Sequence, residues 1–322
     1  MGKDAPLYVG IDLGGTTITS GILTSEGEIV DWENYPTLSR RGPAAVIGEM
    51  AERVGAMLDK NKIGIGRVER AGIASPGPLD FESGRIVETP NLKWKDVPIR
   101  DMLAEKLSLP VVLEGDAIAA TYGEWWTGAA RPYEDMVGLT LGTGVGGGVI
   151  IGNKVLHGFK GLAGHIGHMS IKVDGRICGC GNPGCLEAYA SATAIRDRAR
   201  EAIRAGAQSS LSDNLEHFDS RAVYDAALQG DALAQRIFDR TGFYLALGIN
   251  NIFNILNPQA VVVMGSVANS WDLLQPATCK YLAQLAFPGI AEETVVLRGK
   301  LGDLAGLVGA AGRARGGNRD AH

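Results

Sequence analysis

The chain has 322 residues, 45% of them hydrophobic and 21% charged, which is typical of a globular protein large enough for two domains. Its formal net charge of −5, with no long basic run, excludes nucleic acid as an expected partner. The first residues form no apolar signal segment, and three of the four cysteines lie in one cluster. We therefore expect a cytoplasmic protein that does not span a membrane.

The first predicted unit is three strands around a glycine turn, in the run LYVGIDLGGTTITSGILTSEGEIV. Gly14 and Gly15 end the first strand, and Thr16 and Thr17 begin the second. Backbone N–H groups in a glycine turn form a concave anion site, so this turn is a candidate phosphate loop. Asp12 would repel phosphates unless a cation lay between them, which predicts magnesium there. The alternative is an aspartate that caps its own turn.

A helix is predicted between residues 43 and 59, because apolar residues recur there at helical spacing. These residues are Val46, Ile47, Met50, Val54, Met57 and Leu58. The next strand ends in a Ser-Pro-Gly-Pro turn that contains Gly77, and the run ETPNLKW presents Asn91 on a loop. From the sequence alone, both are ordinary turns.

The run LPVVLEGDAIAATYGEWW predicts a buried strand at 111–113, a turn at Gly115 and a helix that begins near Asp116. A carboxylate at the start of a helix is electrostatically favourable, so Asp116 is either a helix cap or a functional group.

A second glycine loop lies in MVGLTLGTGVGGGVIIGNKVL, where residues 142–148 include five glycines. Gly142, Thr143, Gly144 and Gly146 are its candidate phosphate contacts; a glycine-rich hairpin without a ligand is the alternative. Both glycine loops are flanked by strands and lie about 130 residues apart, which indicates a weak internal repeat.

A metal site is predicted by GLAGHIGHMS and ICGCGNPGCLE, which bring two histidines and Cys178, Cys180 and Cys185 close together in sequence. Three thiolates and one imidazole complete a tetrahedral, structural zinc site. Glycines 179, 181 and 184 suit a chain that bends round one ion; disulfides or free thiols are the alternatives. Spacing does not decide between His165 and His168.

Helices are then predicted around residues 187–205, 221–228 and 232–256, followed by a buried strand in AVVVM. Gly265 and Ser266 form a turn at the carboxyl end of this strand, where α/β sheets usually bind ligands. The run LGDLAGLVGAAGRAR predicts a small-residue helix that packs back on the part of the protein that holds the first glycine turn.

The runs LGTGVGGG, GLAG, IGHM and CGCGNPGCLEAYAS resemble the ROK family of bacterial sugar kinases and sugar-responsive repressors, over nearly the whole chain. The resemblance implies an α/β, two-lobed actin-like ATPase (ribonuclease H-like) fold with ATP and sugar in the interlobe cleft. The expected small lobe is residues 1–117 plus 303–315, and the large lobe, with the zinc-binding loop, is residues 118–302. Residues 316–322 are an expected disordered tail, and we expect a homodimer or homotetramer.

The resemblance also implies ATP-dependent phosphorylation of the primary hydroxyl of a hexose or hexose-like compound, with Asp116 accepting the hydroxyl proton. It makes His168 the zinc-ligating histidine. The implied sugar contacts are Gly77, Asn91, Gly115, Asp116, His165, His168 and Glu187. The implied contacts with ATP and Mg²⁺ are Asp12, Gly14, Gly15, Thr16, Thr17, Gly142, Thr143, Gly144, Gly146, Gly265 and Ser266. The sequence does not separate ATP from polyphosphate as the donor.

Two other functions occur on this fold. Family repressors carry a winged DNA-binding domain ahead of the first glycine loop, where this sequence has only a short segment. A catalytically silent sugar sensor is the second alternative; the presence of Asp12, Asp116 and both glycine loops favours a kinase.

Two residues depart from the family pattern. Gly115 stands where family glucokinases usually have asparagine, and His165 stands where they usually have glutamate. By the resemblance, both positions contact the sugar, so both changes alter the groups that can form hydrogen bonds with its ring hydroxyls. We therefore expect a modified hexose, an amino sugar or a hydroxymethyl-bearing cyclitol as the substrate, with glucose as the other candidate.

Overall fold

The computed structural model of the chain describes residues 5–289 and 293–316. Its strands are β1 (Leu7–Leu13), β2 (Thr17–Thr24), β3 (Ile29–Pro36), β4 (Val68–Ser75), β5 (Leu79–Asp80), β6 (Arg85–Thr89), β7 (Trp94–Val97), β8 (Val111–Gly115), β9 (Met136–Leu141), β10 (Val145–Ile151), β11 (Lys154–Val155), β12 (Ala260–Met264) and β13 (Val295–Arg298). Its α-helices are α1 (Pro43–Lys60), α2 (Ile99–Leu107), α3 (Asp116–Trp126), α4 (Glu187–Ala190), α5 (Ala192–Arg204), α6 (Ser220–Leu228), α7 (Ala232–Leu256), α8 (Trp271–Leu285) and α9 (Ala305–Gly316).

The chain separates into two compact units. The first consists of Met1–Pro132, Gly148–Gly164 and Asp303–His322, and the second of Tyr133–Gly147 and His165–Gly302. Residues 118–132 and 148–164 thus group with the first unit, whereas the sequence suggested a boundary after residue 117.

Helix α3 groups with the first unit because it packs tightly against α9. A Cβ atom added to Gly309 in α9 would lie 1.6 Å from the carbonyl oxygen of Ala119 in α3, so only glycine allows this approach. Helix α9 also lies against the sheet of this unit, since a Cβ atom on Gly72 in β4 would lie 1.9 Å from the carbonyl oxygen of Ala310. Gly316 ends α9, and the rest of the predicted tail, 317–322, lies outside the described residues.

The first unit contains a five-stranded sheet with the order β3-β2-β1-β4-β8. Strands β1, β2 and β3 pair antiparallel, as the strand and turn pattern predicted. Strands β1, β4 and β8 pair in parallel, with Asp12 opposite Ala74 and Ser75 opposite Gly115. The carboxyl ends of these three strands therefore lie along one edge of the sheet, and this arrangement brings Asp12 and Asp116 to the same edge.

Helix α1 covers this sheet with the apolar face that its spacing predicted. All six predicted apolar residues of that face, Val46, Ile47, Met50, Val54, Met57 and Leu58, are buried. Burying each of these side chains stabilises the fold by roughly 1.5–3 kcal/mol. The helix begins at Pro43, where the missing N–H costs nothing, and ends at Lys60.

In the second unit, β12 pairs in parallel with β9 on one side and with β13 on the other. Met264 is opposite Thr140, so the carboxyl ends of β9 and β12 are neighbours. Helix α7 packs against α8, and Gly242 allows the close approach because a Cβ atom there would lie 2.4 Å from the side chain of Ala277. Among the described residues, no helix combines the length and the apolar character that a membrane span requires.

Candidate functional site

Two aspartates meet at the sheet edge of the first unit. Asp12 lies near the end of β1, and Asp116 is the first residue of α3, directly after β8. Asp116 is exposed, and its Oδ1 accepts a hydrogen bond from the N–H of Ala117 at 2.7 Å. The residue at the cap position is Gly115, whose backbone is extended, so Asp116 is not the helix cap that the sequence left as an alternative.

The Asp12 carboxylate is half-buried and lies against Gly306 of α9, where an added Cβ atom would be 2.2 Å from Oδ2. Within residues 5–289 and 293–316, no hydrogen bond or ion pair reaches this carboxylate. Burial, and secondly the negative charge of Asp116, raise the pKa of Asp12 from its ordinary value of 3.8 to about 7. A carboxylate that is short of partners and close to a second carboxylate is a suitable ligand for a cation.

The raised pKa makes the stability of the protein depend on pH through Asp12. The folded protein retains the Asp12 proton up to about pH 7, whereas the unfolded chain releases it near pH 4. The retained proton therefore contributes its full stabilisation of the folded protein below pH 4. This contribution is lost as the pH rises through 7.

Without added magnesium or nucleotide, we expect the unfolding free energy of the wild type to fall between pH 5 and pH 8 by ~2 kcal/mol more than that of Asp12→Asn, which has no proton to release. Urea unfolding of both proteins at the two pH values measures this difference. Equal pH dependence in the two proteins would contradict it.

The first glycine turn is held by backbone contacts beside Asp12. The N–H of Gly14 donates to the carbonyl of Thr17 at 2.9 Å, and the hydroxyl of Thr37 donates to the carbonyl of Gly14 at 2.7 Å. Gly15, Thr16 and Thr17 are exposed. Thr37 was not among the predicted residues, because nothing in its local sequence indicates a contact with a turn 23 residues away.

Three of the predicted sugar contacts lie near this turn or at the same sheet edge. The Cβ atom of Asn91 is 3.3 Å from the place where a Cβ atom would stand on Gly15, so Asn91 adjoins the glycine turn. Gly77 follows β4 and precedes a cis peptide bond to Pro78. Gly115 ends β8, where an added Cβ atom would meet the side chain of Ile118 at an ordinary 3.6 Å.

The second glycine loop joins β9 to β10 in the second unit. The N–H of Gly142 donates to the carbonyl of Gly144 at 2.9 Å, which closes a tight turn. The first residues of α5 hold the loop from the other side, because the N–H of Ala192 donates to the Gly142 carbonyl and the hydroxyl of Thr193 donates to the Thr143 carbonyl, both at 2.8 Å. Ser191 caps α5, because its hydroxyl oxygen accepts a hydrogen bond from the N–H of Ala194 at 3.1 Å.

Gly265 lies beside this loop. Its φ is +89°, and a Cβ atom on it would stand 2.6 Å from the carbonyl oxygen of Leu141, the last residue of β9. Ser266 begins the 3-10 turn that follows and is exposed. The structure therefore gathers Gly142, Thr143, Gly144, Gly265 and Ser266 at the carboxyl ends of β9 and β12, while Gly146 lies inside β10.

Glu187 connects the second glycine loop to the cysteine cluster. Its Oε2 accepts a hydrogen bond from the N–H of Val145 at 2.9 Å, and Sγ of Cys178 lies 3.2 Å from its Oε1. A Cβ atom on Gly144 would stand 2.4 Å from Oε2 of Glu187, so the carboxylate occupies space that only glycine leaves open. Sequence reasoning did not anticipate this link, because it joins residues 42 positions apart.

The metal-ligand residues converge in the second unit. One donor atom from each of His168, Cys178, Cys180 and Cys185 lies within 4.8 Å of all the others. Sγ of Cys180 is 3.7 Å from Sγ of Cys185, and Nδ1 of His168 is 3.7 Å from Sγ of Cys178. A tetrahedral zinc ion with bonds of about 2.3 Å to sulfur separates its ligands by roughly 3.7 Å, so this donor set fits zinc.

The sequence predicted that the backbone bends at three glycines around this cluster, and two of the three have a positive φ. Gly181 and Gly184 have φ values of +92° and +78°, which disfavour other residues, whereas Gly179 is not among the positive-φ glycines. His165 lies outside the ligand set: its ring centroid is 6.3 Å from that of His168, and its side chain is exposed. The cluster geometry thus selects His168 of the two histidines.

Comparison with known proteins places the chain in a family. The ROK family matches residues 8–316. A glucokinase from Halalkalibacterium halodurans is 36% identical over 306 residues, which cover 94% of this chain and 93% of that protein. A xylose repressor from Bacillus subtilis is 31% identical over 311 residues, covering 95% of this chain and 76% of that protein.

A solved structure, that of a ROK family glucokinase from Streptomyces griseus in complex with glucose and AMPPNP, shares the fold with a TM-score of 0.79. It is 32% identical, and the similarity covers 97% of this chain and 100% of that chain. This likeness confirms the predicted α/β fold of the actin-like ATPase type. Since the family match extends over nearly the whole sequence, the protein belongs to the ROK family.

Proposed function

We propose that the protein is an ATP-dependent sugar kinase that phosphorylates the primary hydroxyl of a hexose or hexose-like compound. The observation that carries this proposal is the position of Asp116, an exposed carboxylate at the end of β8 beside the carboxylate of Asp12. Two similarities support the assignment. A relative named glucokinase matches almost the full length of the chain, and a similar ROK family glucokinase was solved in complex with glucose and AMPPNP.

In this mechanism Asp116 orients the attacking hydroxyl and accepts its proton, because phosphoryl transfer needs mainly alignment and charge neutralisation. Asp12 would hold Mg²⁺, and the ion would supply neutralisation of the phosphate charge. The two glycine turns, with Thr16, Thr17 and Thr143, would present backbone N–H groups to the ATP phosphates, and Gly265 and Ser266 would contact the adenosine. Gly15 is exposed, as a phosphate contact requires.

The proposed sugar contacts are Gly77, Asn91, Gly115, Asp116, His165, His168 and Glu187. Exposure of Asn91, Asp116 and His165 supports their availability to a ligand. Glu187 already accepts a hydrogen bond from Val145, so only part of its acceptor capacity remains for a sugar hydroxyl.

We assign zinc to His168, Cys178, Cys180 and Cys185, where four protein ligands leave no open position, so the ion is structural. We place the enzyme in the cytoplasm, where thiols stay reduced. The homodimer or homotetramer stays a prediction.

A sugar sensor without catalysis is the alternative, and the similarity to a xylose repressor is the observation that keeps it in consideration. A panel of hexoses, amino sugars and cyclitols, assayed with ATP and with polyphosphate, separates the two functions. ATP-dependent formation of a phosphorylated product from any of these compounds supports the kinase. Saturable sugar binding without turnover would instead establish the sensor.

The departures from the family pattern at Gly115 and His165 favour a modified hexose, an amino sugar or a cyclitol over glucose as the substrate. A Cβ atom at Gly115 makes only an ordinary contact with Ile118, and His165 is exposed, so Gly115→Asn combined with His165→Glu is expected to fold. The new amide and carboxylate would face groups of the true substrate that do not satisfy them, at a cost on the order of 1.5 to 3 kcal/mol. We expect kcat/KM on the preferred compound to fall about tenfold or more.

The control is Gly66→Asn, at an exposed glycine of the same unit where an added Cβ atom meets nothing within 4 Å; it should leave kcat/KM unchanged. A wild type that is as efficient on glucose as on every other compound would contradict the expectation of an altered substrate.

A further inference from the structure

Glu114 is a buried carboxylate two residues before Asp116, and the mechanism above gives it no role. Its side chain is 2% exposed. Oε1 accepts a hydrogen bond from the N–H of Gly115 at 2.9 Å, and Oε2 accepts one from Nε of Arg313 at 2.9 Å. A carboxylate that has lost its hydration is retained in a core only with such partners.

His157 is the third partner. Its Nε2 lies 2.9 Å from Oε2 of Glu114, and its ring contacts Phe81 edge-on with 5.8 Å between centroids. The three groups come from the end of β8, the loop after β11 and helix α9, all in the first unit. Three segments far apart in sequence therefore meet at a single carboxylate, next to the turn that carries Asp116.

The position of β8 explains why this turn needs support. Strand β8 is the last strand of its sheet, so β4 pairs with it on one side only. At the end of β8, the carboxylate of Glu114 binds the N–H of Gly115. Gly115 has no side chain of its own to anchor the turn.

The charges at this site also balance. Arg313 is 6% exposed and cancels the negative charge of Glu114, so the pair adds no net charge near Asp12 and Asp116. Without Arg313, the end of β8 would carry the negative charge of Glu114 two residues before that of Asp116.

We propose that Glu114 is a positioning residue for Asp116, and that Arg313 and His157 hold Glu114 in place. This inference rests on the proposed kinase function. It assigns no contact with substrate to the three residues; they act through the backbone of Gly115 and through the local charge.

The test compares Glu114→Gln, Arg313→Met and the double variant. Each single change breaks the ion pair between Glu114 and Arg313 and leaves one of its two opposite charges in the core, which shifts the turn. We expect kcat to fall at least tenfold, with the KM values for ATP and sugar within threefold of wild type. In the double variant no charge is unpaired, and the glutamine oxygen still accepts from Gly115, so kcat should recover to within about fivefold of wild type. Each protein is assayed well below its unfolding temperature.

Two further variants keep the test informative if the buried substitutions fail to fold. His157 is 21% exposed, so His157→Ala should fold and lower kcat about three- to tenfold. His157→Gln retains a donor to Glu114 and should restore most of the loss. Arg85→Met breaks an exposed ion pair with Asp96 in the same unit and should change nothing.

Normal kcat in the single variants, or losses of kcat that multiply in the double variant, would overturn the positioning role. If the wild type is active in the same assay, the kinase assignment stands in either case. A wild type that phosphorylates no compound in the panel would overturn both. A failure of His157→Gln to restore kcat would remove His157 from the proposal.

Discussion

Replacing Asp116 by asparagine is expected to lower kcat between about a hundredfold and ten-thousandfold, with KM values for sugar and ATP within several-fold of wild type. Asparagine keeps the size of the side chain, and its carbonyl oxygen can still accept the hydrogen bond from the N–H of Ala117. The variant loses the negative charge and the capacity to accept a proton from the attacking hydroxyl, while it can keep this hydrogen bond. Single-turnover measurement of phosphoryl transfer isolates the chemical step.

A matched control is Asp219→Asn. Asp219 also starts a helix, where its carboxylate accepts from the N–H of Ala222 at 2.9 Å, and it has no proposed role in catalysis. This variant should keep the kcat of the wild type. Single-turnover rates of Asp116→Asn within tenfold of wild type would contradict the assignment of Asp116 as the base.

The same variant has a second, structural readout. The charge of Asp116 contributes to the raised pKa of Asp12, after burial. Removing that charge should bring the pKa of Asp12 closer to its ordinary value. The pH dependence of unfolding in Asp116→Asn should then be weaker than in the wild type, whatever the effect on activity.

Local patterns in the sequence were sufficient to predict much of the fold. Helix α1 buries the six residues that its spacing indicated, because a 3.6-residue period depends only on neighbours along the chain. The strand, turn and helix around Asp116 were also predicted from neighbouring residues in the chain, and α3 does begin at Asp116. Element ends and buried faces are thus largely properties of the local sequence.

The contacts that join distant segments could not be predicted this way. Glu114 pairs with Arg313, 199 positions away, and nothing local to either residue shows which opposite charge will be its neighbour. The hydrogen bond between Glu187 and Val145 likewise joins residues that are far apart in the sequence. The sequence predicted the metal cluster because its cysteines lie close together in the chain. Spacing left His165 and His168 open, the family resemblance pointed to His168, and the three-dimensional arrangement places His168 among the cysteines.

The loss of one metal ligand should have the second large effect, and Cys180 is the most informative ligand to remove. Its side chain is exposed, whereas Cys178 and Cys185 are buried, so Cys180→Ser changes packing little. A structural zinc site contributes folding free energy through its bonds to the protein. We expect the variant to lose stoichiometric zinc and its unfolding midpoint to fall on the order of 5 to 10 °C.

Activity should fall with stability, because the cluster is connected to the second glycine loop. Cys178 contacts Glu187, and Glu187 holds the backbone of Val145 in that loop. A loosened cluster therefore disturbs a loop to which we assign phosphate binding, and the KM for ATP should rise together with the fall in kcat. This pattern differs from that of Asp116→Asn, in which KM is nearly unchanged.

Cys279→Ser supplies the control for this prediction. Cys279 is the other exposed cysteine among the described residues, it lies in α8, and it is outside the metal-ligand set. The same sulfur-to-oxygen exchange there should leave zinc content, unfolding temperature and both KM values unchanged. Elemental analysis of freshly purified wild type should find one zinc per chain; protein without stoichiometric metal, or a Cys180→Ser variant that keeps its zinc, would rule out the site.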